Sequence, residues 1–144
     1  IGHGISIGHD FMLSEIISTS TGLGYNISEA KDGTNDYETY DFNLRVNFAY
    51  PWAYISVGEA LSFNDYIHVD TSLDSNRIRS DYTSTFDIMI TKALGDFFPK
   101  LDPKKSFFMN FSYEKLFSEA NIINYDYVSD SVSISFSKSL QLNK

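Results

Sequence analysis

The sequence predicts an all-β fold, an antiparallel up-and-down β-barrel of which about seven to eight strands are visible. Three observations carry this. Residues 40–50 place Phe42, Leu44, Val46, Phe48 and Tyr50 on one side and Asp41, Asn43, Arg45, Asn47 and Ala49 on the other, the period of two that a strand imposes. Similar stretches recur along the chain, and none sustains a helical period of 3.6. The pairs Asp36-Tyr37, Asp81-Tyr82 and Asp126-Tyr127 repeat every 45 residues, a spacing that could suit a propeller blade but holds only two long strands and reads as a repeated hairpin.

The elements follow in order. Residues 5–11 form a first short candidate, and residues 16–27 a second, with Ile17, Leu23, Tyr25 and Ile27 opposed to Ser18, Ser20, Gly22, Gly24 and Asn26. Residues 40–50 are the third strand and 53–63 the fourth. Residues 82–93 align Phe86, Ile88 and Ile90; residues 107–116 align Phe107, Met109, Phe111 and Tyr113; residues 131–142 set Val132, Ile134 and Phe136 against serines. Connections at 12–15, 51–52 and 95–105 are the shorter set overall. Those at 28–38, 64–81 and 117–126 are longer and more polar, the asymmetry of outer-membrane barrels with short periplasmic turns.

Strand length points to a membrane. Eleven alternating residues are about twice an ordinary soluble strand and about what a tilted strand needs to cross a bilayer core. At 144 residues the chain is one domain, a barrel or a barrel fragment spanning 1–144. Mean hydropathy is -0.21 and no apolar run approaches the ~20 residues of a membrane helix, which excludes a helical span alone. Half of each barrel strand faces the interior, so hydropathy does not register such a protein. The 16% aromatic content suits interfacial girdles, and Tyr50, Trp52, Tyr54, Tyr82, Tyr113 and Tyr127 are their expected members.

Other classes are excluded. A net charge of -8 leaves no basic stripe to neutralise phosphates, so no nucleic acid is expected as a partner. Without Cys there is neither a disulfide nor a thiolate metal site. The chain opens at Ile1 with no charged n-region and apolar h-region, and reads as a processed protein or an excised piece. Seven strands also conflict with the even number of bacterial single-chain barrels. Either an eighth strand lies upstream, or these are the last hairpins of a larger barrel.

The stretch Tyr113-Glu114-Lys115-Leu116-Phe117-Ser118-Glu119-Ala120-Asn121-Ile122-Ile123-Asn124-Tyr125-Asp126-Tyr127, followed by Val132 to Phe136 in the last strand, resembles the final hairpin of Gram-negative outer-membrane barrels. It is most similar to barrels attached to periplasmic tetratricopeptide domains. The chain departs from them by ending Leu140-Gln141-Leu142-Asn143-Lys144 rather than on an aromatic residue. The resemblance implies a bacterial outer-membrane location, with membrane lipid, other barrel subunits or a periplasmic domain as partners.

No residues suggest catalysis. His3, His9 and His68 lack metal-ligand spacing, and nucleophile elbows, phosphate loops and zinc-protease motifs are missing. The segment with Asp32, Gly33, Asn35, Asp36 and Glu38 lacks the twelfth-position glutamate of a calcium loop. No enzyme and no cofactor are expected. The polar faces are more informative, because they carry small uncharged groups where a soluble sandwich would carry Lys, Glu and Arg. Asn43, Arg45, Asn47, Asp87, Asn110, Ser112, Glu114, Ser133 and Ser135 are the expected lumen lining, with Arg45 the selectivity residue or, more plainly, the partner of an acidic neighbour. Residues 28–38, 64–81 and 117–130 hold 11 of 19 acidic residues, which makes an acidic outer mouth.

Glu59 and His9 share faces with apolar residues and oppose the membrane reading. A bulge at Gly58 would change the phase of Glu59; otherwise that face meets another protein. The expected function is a passive channel, export conduit or structural barrel. The competing expectation is a soluble all-β binding module, a sandwich or lipocalin-like barrel in which Phe42, Val46, Ile88, Phe111 and Ile134 converge on one core.

Overall fold

The computed structural model describes residues 2–29, 36–69, 76–102, 104–122 and 125–139. Seven strands follow one another: β1 (Gly2–Met12), β2 (Ile17–Ser28), β3 (Tyr37–Tyr50), β4 (Ala53–Val69), β5 (Ile78–Ala93), β6 (Phe107–Ala120) and β7 (Tyr127–Lys138). Sequence neighbours are neighbours in one sheet, and every pair is antiparallel. Among the described residues the remaining regular structure is a 3-10 turn at Leu94–Asp96.

The expected order is present, but closure is not. β1 and β7 are edges that do not pair with each other, so the sheet is open. Because both are odd-numbered in an alternating array, they run in the same direction.

Strand ends differ from expectation mainly at one end. β4 continues to Val69 rather than stopping at Phe63, and β3 begins at Tyr37, so that Tyr37 meets Tyr66 and Glu38 meets Asp65. Backbone hydrogen bonds, rather than hydropathy, hold such a ladder, so polar side chains do not end it. β5 starts four residues early, β6 runs on to Ala120, and β7 starts at Tyr127; residues 140–142 of the expected last strand lie outside the described residues. The expected difference in loop length therefore weakens. One end carries connections 13–16, 51–52 and 94–106, the other 29–36, 70–77 and 121–126, and the longest lies at the end expected to be short.

The 45-residue repeat recurs with strands of one direction but not with one face. Tyr37 and Tyr127 stand opposite Ser28 and Ser118 on the polar side, whereas Tyr82 lies inside β5 opposite Phe63 on the apolar side.

Alternation holds across all seven strands in common. One row joins Ile7, Leu23, Phe42, Leu61, Ser84, Phe117 and Val128; the next joins Gly8, Gly22, Asn43, Ala60, Thr85, Leu116 and Ser129. The sheet is a single layer, and apolar residues do not meet across a core. Phe42 and Phe111 are each 36% exposed and Ile134 is 61% exposed, while the strands' buried residues are Ser56, Gly58 and Ser118 on the polar face, plus Ala53 beside a turn.

The rows also climb. The row Met12, Ser18, Asn47, Ser56, Met89, Ser112, Ser133 begins at the last residue of β1 but lies well inside β7, which ends at Lys138. This is a stagger of about one residue per strand, the kind that accompanies strand tilt in a barrel wall.

Candidate functional site

All nine expected lining residues, from Asn43 to Ser135, fall on the polar face. Their centre is a single row, Asp10, Ser20, Arg45, Gly58, Asp87, Glu114 and Ser131. Arg45 reaches across β4 to Asp87, two strands away. Its Nη2 donates to Asp87 Oδ1 at 2.6 Å, and its Nη1 donates to Asp87 Oδ2 at 2.9 Å and to Ser56 Oγ at 2.8 Å.

Gly58 makes that reach possible. A Cβ at this position would stand 2.6 Å from Asp87 Oδ1 and 2.7 Å from Arg45 Nη2. The pairing of Arg45 with an acid was legible in the sequence. Its route over a glycine in the intervening strand was not, because it depends on register.

Short side chains link neighbouring strands across the rest of this face. Asp41 accepts from Ser62 Oγ at 2.8 Å and from Asn26 Nδ2 at 3.2 Å. Thr91 Oγ1 donates to Asn110 Oδ1 at 2.8 Å, while Asn110 Nδ2 donates to Ser137 Oγ at 3.4 Å. Ser112 and Ser133 hydroxyls pair at 2.7 Å. The buried Asn47 Oδ1 has no hydrogen-bond partner among the described residues. The surface is thus polar, hydrogen-bonded and wettable. It offers hydrogen-bond donors and acceptors drawn from short side chains.

The apolar face carries two aromatic bands. Toward the 29–36 end, one row places Tyr25, Tyr40, Phe63 and Tyr82 side by side, with ring centroids 5.1 Å apart for Tyr25–Tyr40 and 4.9 Å for Phe63–Tyr82. Phe117 joins at 6.3 Å from Tyr82. At the other end Phe48, Tyr50 and Trp52 stack in succession, and Lys92 Nζ lies 5.7 Å from the Trp52 ring and 4.6 Å from that of Phe97.

This corrects part of the expected girdle. Tyr50, Trp52 and Tyr82 belong to the bands. Tyr54, opposite Ala49 and Thr91, and Tyr127, opposite Ser118, lie on the polar face, and Tyr113 sits mid-strand opposite Ile88. Each is an aromatic residue near a strand end or on the apolar side by composition, but phase and height decide membership.

The Gly58 bulge is absent, and the irregularity of β4 lies between Asp65 and Val69 instead. Glu59 therefore stays on the apolar face between Leu44 and Phe86, where it accepts from Ser84 Oγ at 2.6 Å. His9 shares that face at the turn end, stacked on Phe11 at 4.1 Å.

At the 29–36 end the polar side has a group the sequence reading missed. Arg79 pairs with Asp81 at 2.6 Å, with its guanidinium 3.9 Å from the Tyr125 ring centroid and 4.8 Å from that of Tyr66. Residues 64–81 read as a loop, so no periodic signal pointed to it.

The 94–106 connection is a built unit. Asp102 is buried and accepts from Ser106 N at 2.8 Å, Ser106 Oγ at 3.0 Å and Phe107 N at 3.0 Å. Burial alone would raise its pKa, but the donors of Phe107, Ser106 and Gly95 outweigh this and hold it below its ordinary value.

His3, His9 and His68 do not come together, and the described residues contain no group of three or more His, Cys, Asp or Glu placed to hold a metal. The calcium-loop residues Asp32, Gly33 and Asn35 lie outside the described residues. No family model, curated protein or solved structure matches the chain. The resemblance to tetratricopeptide-linked barrels accordingly rests on the hairpin residues quoted above.

Proposed function

We propose that this chain forms the wall of a β-barrel in the bacterial outer membrane, with its apolar face toward lipid and its polar face toward a lumen. The observation that carries the reading is the pair of aromatic bands on one exposed apolar face. Tyr40 and Tyr50 in β3 and Phe117 and Phe107 in β6 mark the two bands, ten residues apart each time, and Lys92, ten residues from Tyr82, lies beside the Trp52 ring. At ~3.3 Å per residue and a tilt of ~40°, ten residues rise ~25 Å, the height of the lipid-facing band in such barrels.

Two further features support it over a soluble module. The large apolar side chains have no second layer to bury them, although an exposed apolar surface of this extent is unfavourable in water. The polar face carries small, mutually bonded groups. Since β1 and β7 run in the same direction, an odd number of additional strands completes an antiparallel closure, and the total is then even, as in bacterial barrels.

The function that fits is a passive channel, an export conduit or a structural barrel, alongside a periplasmic domain or other barrel subunits as in the family its last hairpin resembles. Arg45 and Asp87 form the polar crossbeam of the wall. Cysteine scanning tests the orientation, because the native chain has no Cys. In lipid vesicles N43C and N47C react with a water-soluble maleimide, F42C and L44C do not, and the folded protein runs heat-modifiably on a gel. A monomer soluble without detergent, with L44C and N43C equally reactive, overturns the reading.

A further inference from the structure

We infer that the 94–106 connection is a foot that binds the anionic headgroup layer of the leaflet at the turn end of the sheet. The inference rests on the barrel reading and adds a specific lipid partner to it. Three features combine in this connection.

The first is its order. Successive turns run from Phe98 N to Leu94 O at 2.9 Å, from Asp102 N to Phe98 O at 3.1 Å and from Lys105 N to Asp102 O at 3.1 Å, and the buried Asp102 carboxylate ties the unit to the start of β6. Gly95 packs against the Asp102 carbonyl so closely that a side chain there would collide with it. The described residues of this connection are held in one shape.

The second is what that shape presents. Phe97, Phe98 and Leu101 are 51%, 56% and 81% exposed, although each is large and apolar. Phe97 lies beside the lower aromatic band through Lys92, whose Nζ serves both Phe97 and Trp52. The exposed apolar side chains thus continue the lipid-facing band.

The third is charge. In a chain of net -8, residues 92–105 bring together Lys92, Lys100, Lys104 and Lys105 against Asp96 and Asp102. Asp96 is paired to Lys105 at 2.5 Å and Asp102 is buried in hydrogen bonds. Lys100 and Lys104 remain exposed next to the apolar tips. Rings at the acyl boundary with ammonium groups at phosphate level match an anionic phospholipid surface.

The test moves the single indole of the protein into the foot. The W52F/F98W variant is reconstituted into phosphatidylcholine vesicles with or without phosphatidylglycerol, each lipid brominated in turn to quench the indole. Quenching by both lipids is expected, with phosphatidylglycerol preferred at the site, and K100Q/K104Q lowers that preference by roughly fivefold per lysine, the equivalent of about 1 kcal/mol each. An inserted, heat-modifiable protein whose indole escapes lipid quenching overturns the foot and leaves the barrel, as when a protein partner covers it. Equal quenching by both lipids overturns the anionic partner. Failure to insert at all sinks the barrel reading and the foot with it.

Discussion

Gly58→Ala separates two physical effects that point in opposite directions. By local preference alone the change should help, since Gly inside a strand is less favourable than Ala by roughly 0.5–1 kcal/mol. The register says otherwise. The new methyl group would lie 2.6 Å from Asp87 Oδ1 and 2.9 Å from Arg45 Cζ, so the two-point contact between Arg45 and Asp87 must open. Their side chains are 41% and 25% exposed, so solvent already screens the pair. A contact of that kind lies between an exposed ion pair and a charge-assisted hydrogen bond, about 1–2 kcal/mol. G58A therefore destabilises the intact protein by up to about 1.5 kcal/mol after the strand gain is offset. In an R45S/D87S background the same change stabilises by roughly 0.5–1 kcal/mol, because no guanidinium lies over the methyl group. The coupling of about 1–2 kcal/mol is read from urea unfolding of the four proteins in vesicles. If G58A stabilises equally in both backgrounds, the crossbeam over β4 is not formed.

Further outcomes follow from the faces and the connections. On the barrel reading, Glu59→Leu removes a carboxylate from the centre of the apolar face and raises stability in bilayers by about 1–2 kcal/mol, measured as a shift of the urea midpoint; a loss of stability would show that the hydrogen bond from Ser84 outweighs the cost of a carboxylate facing lipid. Asp102 has a lowered pKa, so its contribution is fully present above the ordinary carboxylate value of 3.8 and is lost only as pH falls through the lowered one. Protection factors of the amides in this connection, taken against the pH-dependent intrinsic exchange rate, are accordingly high and flat across neutral and mildly acidic pH, then fall below the ordinary value. In D102N protection is low throughout and shows no such pH dependence. Arg79→Ala unstacks Tyr66 and Tyr125 and frees the 121–126 connection to proteolysis while leaving the cysteine labelling pattern of β3 unchanged.

The alternation of residues 40–50 already contained the two faces of β3, and the same alternation in β5, β6 and β7 put the nine chosen positions together on the polar face. Alternation is a property of the strand's own backbone, so it survives whatever the neighbouring strands do. Residues such as Asn110 and Ser133 reached the same surface because each strand keeps its own phase. Even the partner class of Arg45, a carboxylate, followed from charge.

Cross-strand facts belong to another level. Gly58 stands between Arg45 and Asp87 only because hydrogen bonds between β3, β4 and β5 set that register, and they pair residues as far apart as Tyr54 and Thr91. The same long-range ladder keeps Glu59 on the apolar side, carries β4 to Val69, aligns Tyr25, Tyr40, Phe63 and Tyr82 into a band, and turns Tyr54 and Tyr127 to the polar face. A strand's sequence determines which side each residue takes; only the paired sheet determines its height and its neighbours, because those depend on bonds made to other strands.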